Sequence, residues 1–282
     1  MNYLITGATG QIGSGVVKCL LERGERPRVF VRDAEKARAR YGDRVDIITG
    51  DLADAKSLAA ALRGIDALLL INVGHEIEAR DEAAARAAKA AGVKHLVKLS
   101  SMDAQQNAGT GAWHARGESA IRVSGIAFTF VQPGGFMSNA LGWAASIKAE
   151  GVVRSPTGDG RIAFIHPDDI VAVTTLALTT QKYEGEMLPI SGPEALSYAE
   201  MTEKIGAAAG KPVKFEPISE EQERQQMTKE DEPPEIIEAH ISIYRAIREG
   251  RLARVTDNVN RVVGRKPIRF EQWAQENAAA FC

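Results

Sequence analysis

Apolar and polar positions along the first two-thirds of the chain fall into two alternating patterns. Short apolar runs at 3–7 (YLITG), 28–32 (RVFVR), 45–50 (VDIITG), 66–72 (DALLLIN), 95–101 (HLVKLSS) and 127–133 (AFTFVQP) predict strands. Between them, Ile12, Val16, Val17, Leu20 and Leu21 recur at helical spacing up to a stop at Gly24. Stretches 55–64, 76–91 and 112–124 read as further helices, closed by Gly64, Gly92 and Gly125. This alternation predicts an α/β fold: a doubly wound parallel sheet with right-handed crossovers, its ligands beyond the carboxyl ends of the strands.

After Pro133 the texture changes. Residues 134–160 read as glycine-rich loops around a short helix, and 166–180 as a helix opened by Pro167 with Asp168 and Asp169. His166 beside those two carboxylates fits a helix start better than a metal or acid pair, so no metal site is expected. Residues 186–192 suggest a returning strand, and Ser197 with Glu200 forms a capping-box pattern before another helix. The polar stretch 220–235 reads as a solvated helix and loop, with a substrate lid as the alternative; 235–249 is helical again. The expected organisation is a dinucleotide-binding domain of residues 1–133 and 162–192, with a smaller discontinuous C-terminal substrate lobe of residues 134–161 and 193–282.

Composition narrows the class. The 282 residues carry 35 basic and 37 acidic side chains, a formal charge of −2, and no basic stripe, which argues against a nucleic-acid partner. Met1 leads straight into a strand with no signal-peptide pattern, and no apolar run approaches the ~20 residues needed to span a bilayer. Cys19 and Cys282 suggest neither a disulfide framework nor a metal cluster. The expectation is a cytoplasmic protein with no membrane partner. The Ala-rich helix 79–91 suits either a second copy or the sheet, so the oligomeric state stays open.

The candidate chemistry begins at residues 6–13, TGATGQIG. Gly7, Gly10 and Gly13 follow a strand and open a helix, the context of a Rossmann-type phosphate cradle. Gly7 and Gly10 allow a sharp turn and close approach to a pyrophosphate. Gly13 allows tight helix–strand packing, and the helix N-terminus, with Thr9, Gln11 and Ile12, faces the negative charge. The second strand ends in Arg32, with Asp33 next and Lys36 one helical turn on. A guanidinium there suits the extra phosphate of NADP, so NADPH is expected over NADH, with an Arg32–Asp33 surface pair as the alternative. Asp51 and Leu52 are placed to touch the adenine, although Asp51 also suits a helix cap.

These residues, with VRDAEKA, GDLADAKSLAAALRGIDALLLI, VKHLVKLSS, GESAIRVSGIAFTFVQPGGFMSN and FIHPDDIVAV, resemble the NmrA-like group of atypical short-chain dehydrogenase/reductases over nearly the whole chain. The group includes NADPH-dependent quinone, azo-dye and triphenylmethane-dye reductases, and NADPH-sensing regulators without catalysis. Ordinary members of the superfamily carry a Tyr-xxx-Lys pair on the helix before the sixth strand. Counted back from SGIAFTFVQP, the Tyr position here is Thr110 and the Lys position is His114. His114 could hold the nicotinamide ribose or donate a proton near neutral pH. The resemblance further implies cofactor contacts from Asn72, Val73, Ser100, Pro133, Gly134 and Gly135. Phe136, Met137, Asn139 and Trp143 would line a flat acceptor site or pack the smaller lobe. Without the tyrosine, the chemistry that survives is hydride transfer to conjugated electron-poor acceptors, whose reduced forms are readily protonated by water. The other readings are a non-catalytic NADPH sensor and a carbonyl or imine reductase.

Overall fold

The computed structural model describes residues 1–106 and 108–282. In chain order it begins β1 (Tyr3–Thr6), α1 (Gln11–Glu22), β2 (Arg28–Val31), α2 (Ala34–Tyr41), β3 (Asp46–Thr49), α3 (Ala55–Ala61), β4 (Ala67–Leu70) and α4 (Ile77–Ala90). Then come β5 (His95–Leu99), α5 (Gly111–Ser124), β6 (Phe128–Pro133), α6 (Ala144–Glu150), β7 (Val152–Ser155), β8 (Arg161–Ile162), α7 (Pro167–Thr179) and β9 (Met187–Ile190). The chain closes with β10 (Leu196–Ser197), α8 (Tyr198–Ala209), β11 (Lys214–Pro217), α9 (Glu220–Lys229), α10 (Pro234–Arg248), α11 (Asn258–Val263) and α12 (Phe270–Glu276). Two compact units result. The first comprises Met1–Ser101, Trp113–Gln132 and Ile170–Pro189; the second comprises Met102–Ala112, Pro133–Asp169 and Ile190–Cys282.

The first unit is built on a seven-stranded sheet in the order β3-β2-β1-β4-β5-β6-β9. Leu4 of β1 registers with Arg28 of β2 on one side and Leu68 of β4 on the other, so the strand order reverses at β1. That reversal opens a crevice at the carboxyl ends of β1 and β4. The strands are short, and the central β1, β4 and β5 are entirely buried, which explains their continuous apolar runs. On one face Leu4, Leu68, Leu96 and Phe130 pack with Leu58, Leu62, Ala84, Ala88 and Ile121. Alanines along α4 let that helix lie close against the sheet. On α1, Gly15 does the same: a β-carbon there would stand 2.5 Å from Val171 Cγ2.

The second unit has its own core of Met137, Ile147, Phe164, Tyr198, Met201, Ile205, Phe270, Trp273 and Phe281. Its strands form two small sheets, β8 with β10 antiparallel and β7 with β11 parallel. Ser197 and Glu200 make the expected capping box on α8. α7 starts at Pro167, and its cap is His166, whose Nδ1 accepts the Asp168 N–H at 3.1 Å. Asp169 is fully buried and serves the fold: it accepts the Ile268 N–H at 2.7 Å and pairs with Arg265 at 2.5 Å. Of the stretch 220–235, residues 220–229 form α9. Glu220 there binds Arg245 and Arg248 of α10, each at 2.6 Å. Among the described residues no helix is long and apolar enough to cross a membrane, and no group of three or more His, Cys, Asp or Glu is arranged to hold a metal.

Candidate functional site

A groove of about 970 Å³, counting its open mouth, lies in the first unit at the reversal of strand order. Its walls are the segments that leave β1 (Thr6–Gly10), β2 (Val31, Arg32), β3 (Gly50–Leu52) and β4 (Ile71–Val73), with Arg80 from α4. The structure thus brings Gly7, Thr9, Gly10, Arg32, Asp51, Leu52, Asn72 and Val73 together, as their positions at strand ends require.

The floor is the glycine turn. Gly7 has φ +62°, a conformation costly for residues with a side chain, and a β-carbon on it would sit 2.9 Å from Ile71 Cβ. Gly10 donates to Gly7 O at 3.0 Å and is the N-cap of α1, so no side chain closes that helix start. A β-carbon on Gly13 would collide with Gly7 O and lie 2.7 Å from Gly7 C. The first turn of α1, with Gln11 and Ile12, therefore presses against the loop. Its backbone donors and positive dipole end point where an anion would sit. α2 braces the turn from outside: Tyr41 donates to Ala8 O at 2.5 Å and Arg40 to Thr9 O at 3.0 Å. The sequence signal for that brace is weak, because neither residue stands in a recognisable motif. This cradle, which a side chain would fill, fits a dinucleotide pyrophosphate.

Arg32 is exposed at the groove, and among the described residues its guanidinium has no partner. Asp33 does not pair with it. Asp33 is the N-cap of α2, its Oδ1 accepting the Lys36 N–H at 2.9 Å. Lys36 itself is exposed and outside the groove walls. Asp51 is not the cap of α3 either. Asp54 fills that role, while Asp51 accepts the Ala53 N–H at 2.9 Å and stays on the groove wall. Val73 is 75% exposed, an apolar surface held at the groove.

Ser100 belongs to a buried polar cluster of the same unit, and half-buried His114 stands on α5 one turn before its Glu118. Ser100 Oγ donates to Glu118 at 2.6 Å, and Gln132 Nε2 donates to the same oxygen at 2.7 Å. Asn72 turns its amide toward α4, donating to Asp81 at 3.2 Å. Lys98 and Asp81, both fully buried, form an ion pair at 2.5 Å. His114 is held neutral. Burial first, and the nearby Lys98 charge second, push its pKa down to about 3. The near-neutral titration expected of an ordinary histidine is therefore removed by the site, and with it an imidazolium acid at pH 7. Thr110 precedes α5, so the helix carries neither member of a Tyr-xxx-Lys pair.

The remaining expected residues lie in the second unit. Gly134 and Gly135 line a small cavity there with Met102, Asp103, Ile162, Arg251 and Arg254, next to buried Pro133. Met137 is buried in that unit's core, and Trp143 packs on Tyr198 at 4.8 Å. Phe136 is partly exposed and Asn139 exposed.

The profile of the NmrA-like family matches residues 2–266. This chain belongs to the NmrA-like family. Its relatives include an NAD(P)H azoreductase of Xenophilus azovorans, 38% identical over 282 residues, covering 99% of this chain and 98% of the relative. A (4-alkanoyl-5-oxo-2,5-dihydrofuran-3-yl)methyl phosphate reductase of Streptomyces griseus is also 38% identical, over 281 residues, with 99% and 98% covered. Among solved structures, an NADPH-dependent quinone oxidoreductase of Escherichia coli complexed with NADPH superposes with a TM-score of 0.90. It is 24% identical, with 98% of this chain and 99% of that one covered, a likeness of fold. The NmrA-like frame accounts for the sheet order, the glycine turn and the helix start in one scheme.

Proposed function

We propose that this NmrA-like protein is an NAD(P)H-dependent reductase that prefers NADPH and reduces conjugated, electron-poor acceptors such as quinones and azo compounds. The observation that carries the cofactor preference is Arg32. It stands unpartnered at the end of β2, while Asp33, the acid that would favour NAD, spends its carboxylate on the α2 N-terminus. When bound, NADPH supplies a hydride; acceptor, hydride and one proton from water then give the two-electron-reduced product. The chain's own residues would hold the pyrophosphate on the Gly7–Gly13 turn, the 2′-phosphate at Arg32 and the adenine beside Asp51 and Leu52. Ser100 and His114 would border the nicotinamide.

The acceptor class follows from what α5 lacks. With no tyrosine acid and a neutral His114, the site offers little to an alkoxide that needs a proton at once. A reduced quinone or azo compound delocalises the incoming electron pair, so orientation suffices. The relatives' names fit: one describes an azo substrate, the other a dihydrofuran conjugated to carbonyl groups. The test is oxidation of NADPH against a panel of quinones, azo dyes, triphenylmethane dyes and simple ketones, with NADH in parallel and binding followed by calorimetry. Turnover of conjugated acceptors with NADPH preferred is expected. Tight binding of NADPH with no turnover by any acceptor would replace this reading with a cofactor sensor, and turnover of simple ketones with a carbonyl reductase.

A further inference from the structure

The buried Lys98–Asp81 pair lies outside the groove walls, yet the first unit is built to admit it. Both side chains are fully buried, and Nζ stands 2.5 Å from Asp81 Oδ2. The other carboxylate oxygen accepts the Asn72 amide at 3.2 Å, which links the pair to the groove wall. Gly117 of α5 makes the room. A β-carbon there would collide with Asp81 Oδ2 and lie 3.1 Å from its Cγ. A buried ion pair is poor evidence of stability, since apolar residues of the same volume serve as well or better, so its placement calls for another reason.

His114, three residues before Gly117 on α5, supplies that reason. Its Nδ1 is sealed from solvent with no hydrogen-bond partner, while the residue as a whole is only half-buried. A proton on that nitrogen would be a buried donor without an acceptor, close to an ammonium. A bare Nδ1 avoids that cost and leaves the ring's single proton on Nε2. Within this unit the charge that acts on the ring is Lys98 from β5, itself paired with Asp81 of α4, while Glu118 follows His114 by one turn on α5. Glu118 is already engaged by Ser100 and Gln132.

We propose that Lys98, anchored by Asp81, is a positioning residue that fixes His114 as a neutral imidazole with its proton on Nε2, so that the ring meets bound ligand as a hydrogen-bond donor of set direction and not as a titrating acid. Only the identity of what the donor meets rests on the NADPH reading; the state of the ring does not.

The test is nitrogen-15 NMR of the imidazole rings in the full-length protein, with His114→Asn assigning the signal. The wild-type ring is expected as the Nε2–H tautomer, unchanged between about pH 5 and about pH 8, the span in which an ordinary histidine titrates. NADP⁺ is expected to move its Nε2 signal. In the paired variant Lys98→Met with Asp81→Asn, which leaves no charge buried alone, both tautomers become populated and protonation begins at higher pH. Because burial is the larger cause of the shift, the midpoint rises from about 3 without reaching 6.5. The variant's turnover is expected to fall about tenfold, the loss of about 1.4 kcal/mol from the transition state, while its NADPH affinity stays within about twofold. A wild-type ring protonated on Nδ1, or a paired variant with tautomer and titration unchanged, overturns the proposal. If the paired variant does not fold, the wild-type tautomer decides alone. A ring in the expected state in a protein that NADP⁺ does not bind upholds the positioning role and refutes the cofactor reading.

Discussion

Gly13 carries the tightest constraint at the residue scale. A β-carbon there collides with Gly7 O, so Gly13→Ala must push α1 away from the turn it completes. Overpacking of this kind costs about 1–3 kcal/mol. The displaced helix start is expected to weaken NADPH binding by at least about tenfold, about 1.4 kcal/mol, in calorimetry on a variant that keeps its far-ultraviolet dichroism. Unchanged affinity would remove the turn from the site. His114 gives a second prediction. Its pKa in the folded protein is about 3 against an ordinary 6.5, so below pH 6.5 the unfolded chain binds the extra proton. The ring's contribution to stability is therefore fully present above 6.5 and is lost as pH falls from there toward 3. Burial lowers His95 and His240 in the same direction, so wild-type melting alone does not isolate one ring. The comparison with His114→Asn does. The variant is expected to lose less melting temperature than wild type between about pH 7 and about pH 5, and parallel losses would contradict a strongly depressed His114.

At the scale of elements, what the sequence made legible follows from burial. β1, β2, β4, β5 and β6 are mostly buried strands whose apolar runs stand out, and Gly64, Gly92 and Gly125 mark chain reversals at positive φ. β8 and β10 have two residues each, too short for any period to register, and β7 and β11 find their partners only across a long sequence separation. The glycine turn was legible because backbone geometry demands particular residues there. The Lys98–Asp81 pair and the buried Glu118 were not, because charged residues at single positions read as solvated. The available signal was Lys98 inside the apolar run HLVKLSS, where a charge has to be either an edge or a buried partner. α9 shows the opposite case, a polar stretch that is ordered because Glu220 pairs with Arg245 and Arg248, which holds its carboxyl down at about 2. Glu220→Gln is expected to speed hydrogen exchange across 220–229, and added salt to narrow the gap between variant and wild type. Exchange that is unchanged in α9 would show that its packing through Met227 suffices.

For the whole molecule, the cofactor preference becomes a difference in stability. A ligand that binds only the folded chain stabilises it by about 2.7 kcal/mol at a hundred times its Kd. Each kcal/mol raises the melting temperature by about 2–4 °C in domains of about 150–250 residues. For this 282-residue chain the lower end applies, so saturating NADPH is expected to raise melting by about 5 °C. A charge-assisted hydrogen bond from Arg32 to the 2′-phosphate is worth about 1.5–3 kcal/mol, or roughly tenfold to a hundredfold in affinity. NADH at the same concentration then sits near or modestly above its own Kd and gives a rise of roughly 1–3 °C. Arg32→Ala should bring the NADPH response down to the NADH response while leaving the latter almost unchanged, because the loss is confined to the phosphate that NADH lacks. Equal responses to the two cofactors in wild type would show that Arg32 does not discriminate between them. Equal losses for both in the variant would instead make Arg32 a general contact of the groove, and the preference for NADPH would then have to come from elsewhere on its wall, where Arg80 is the other cation in place.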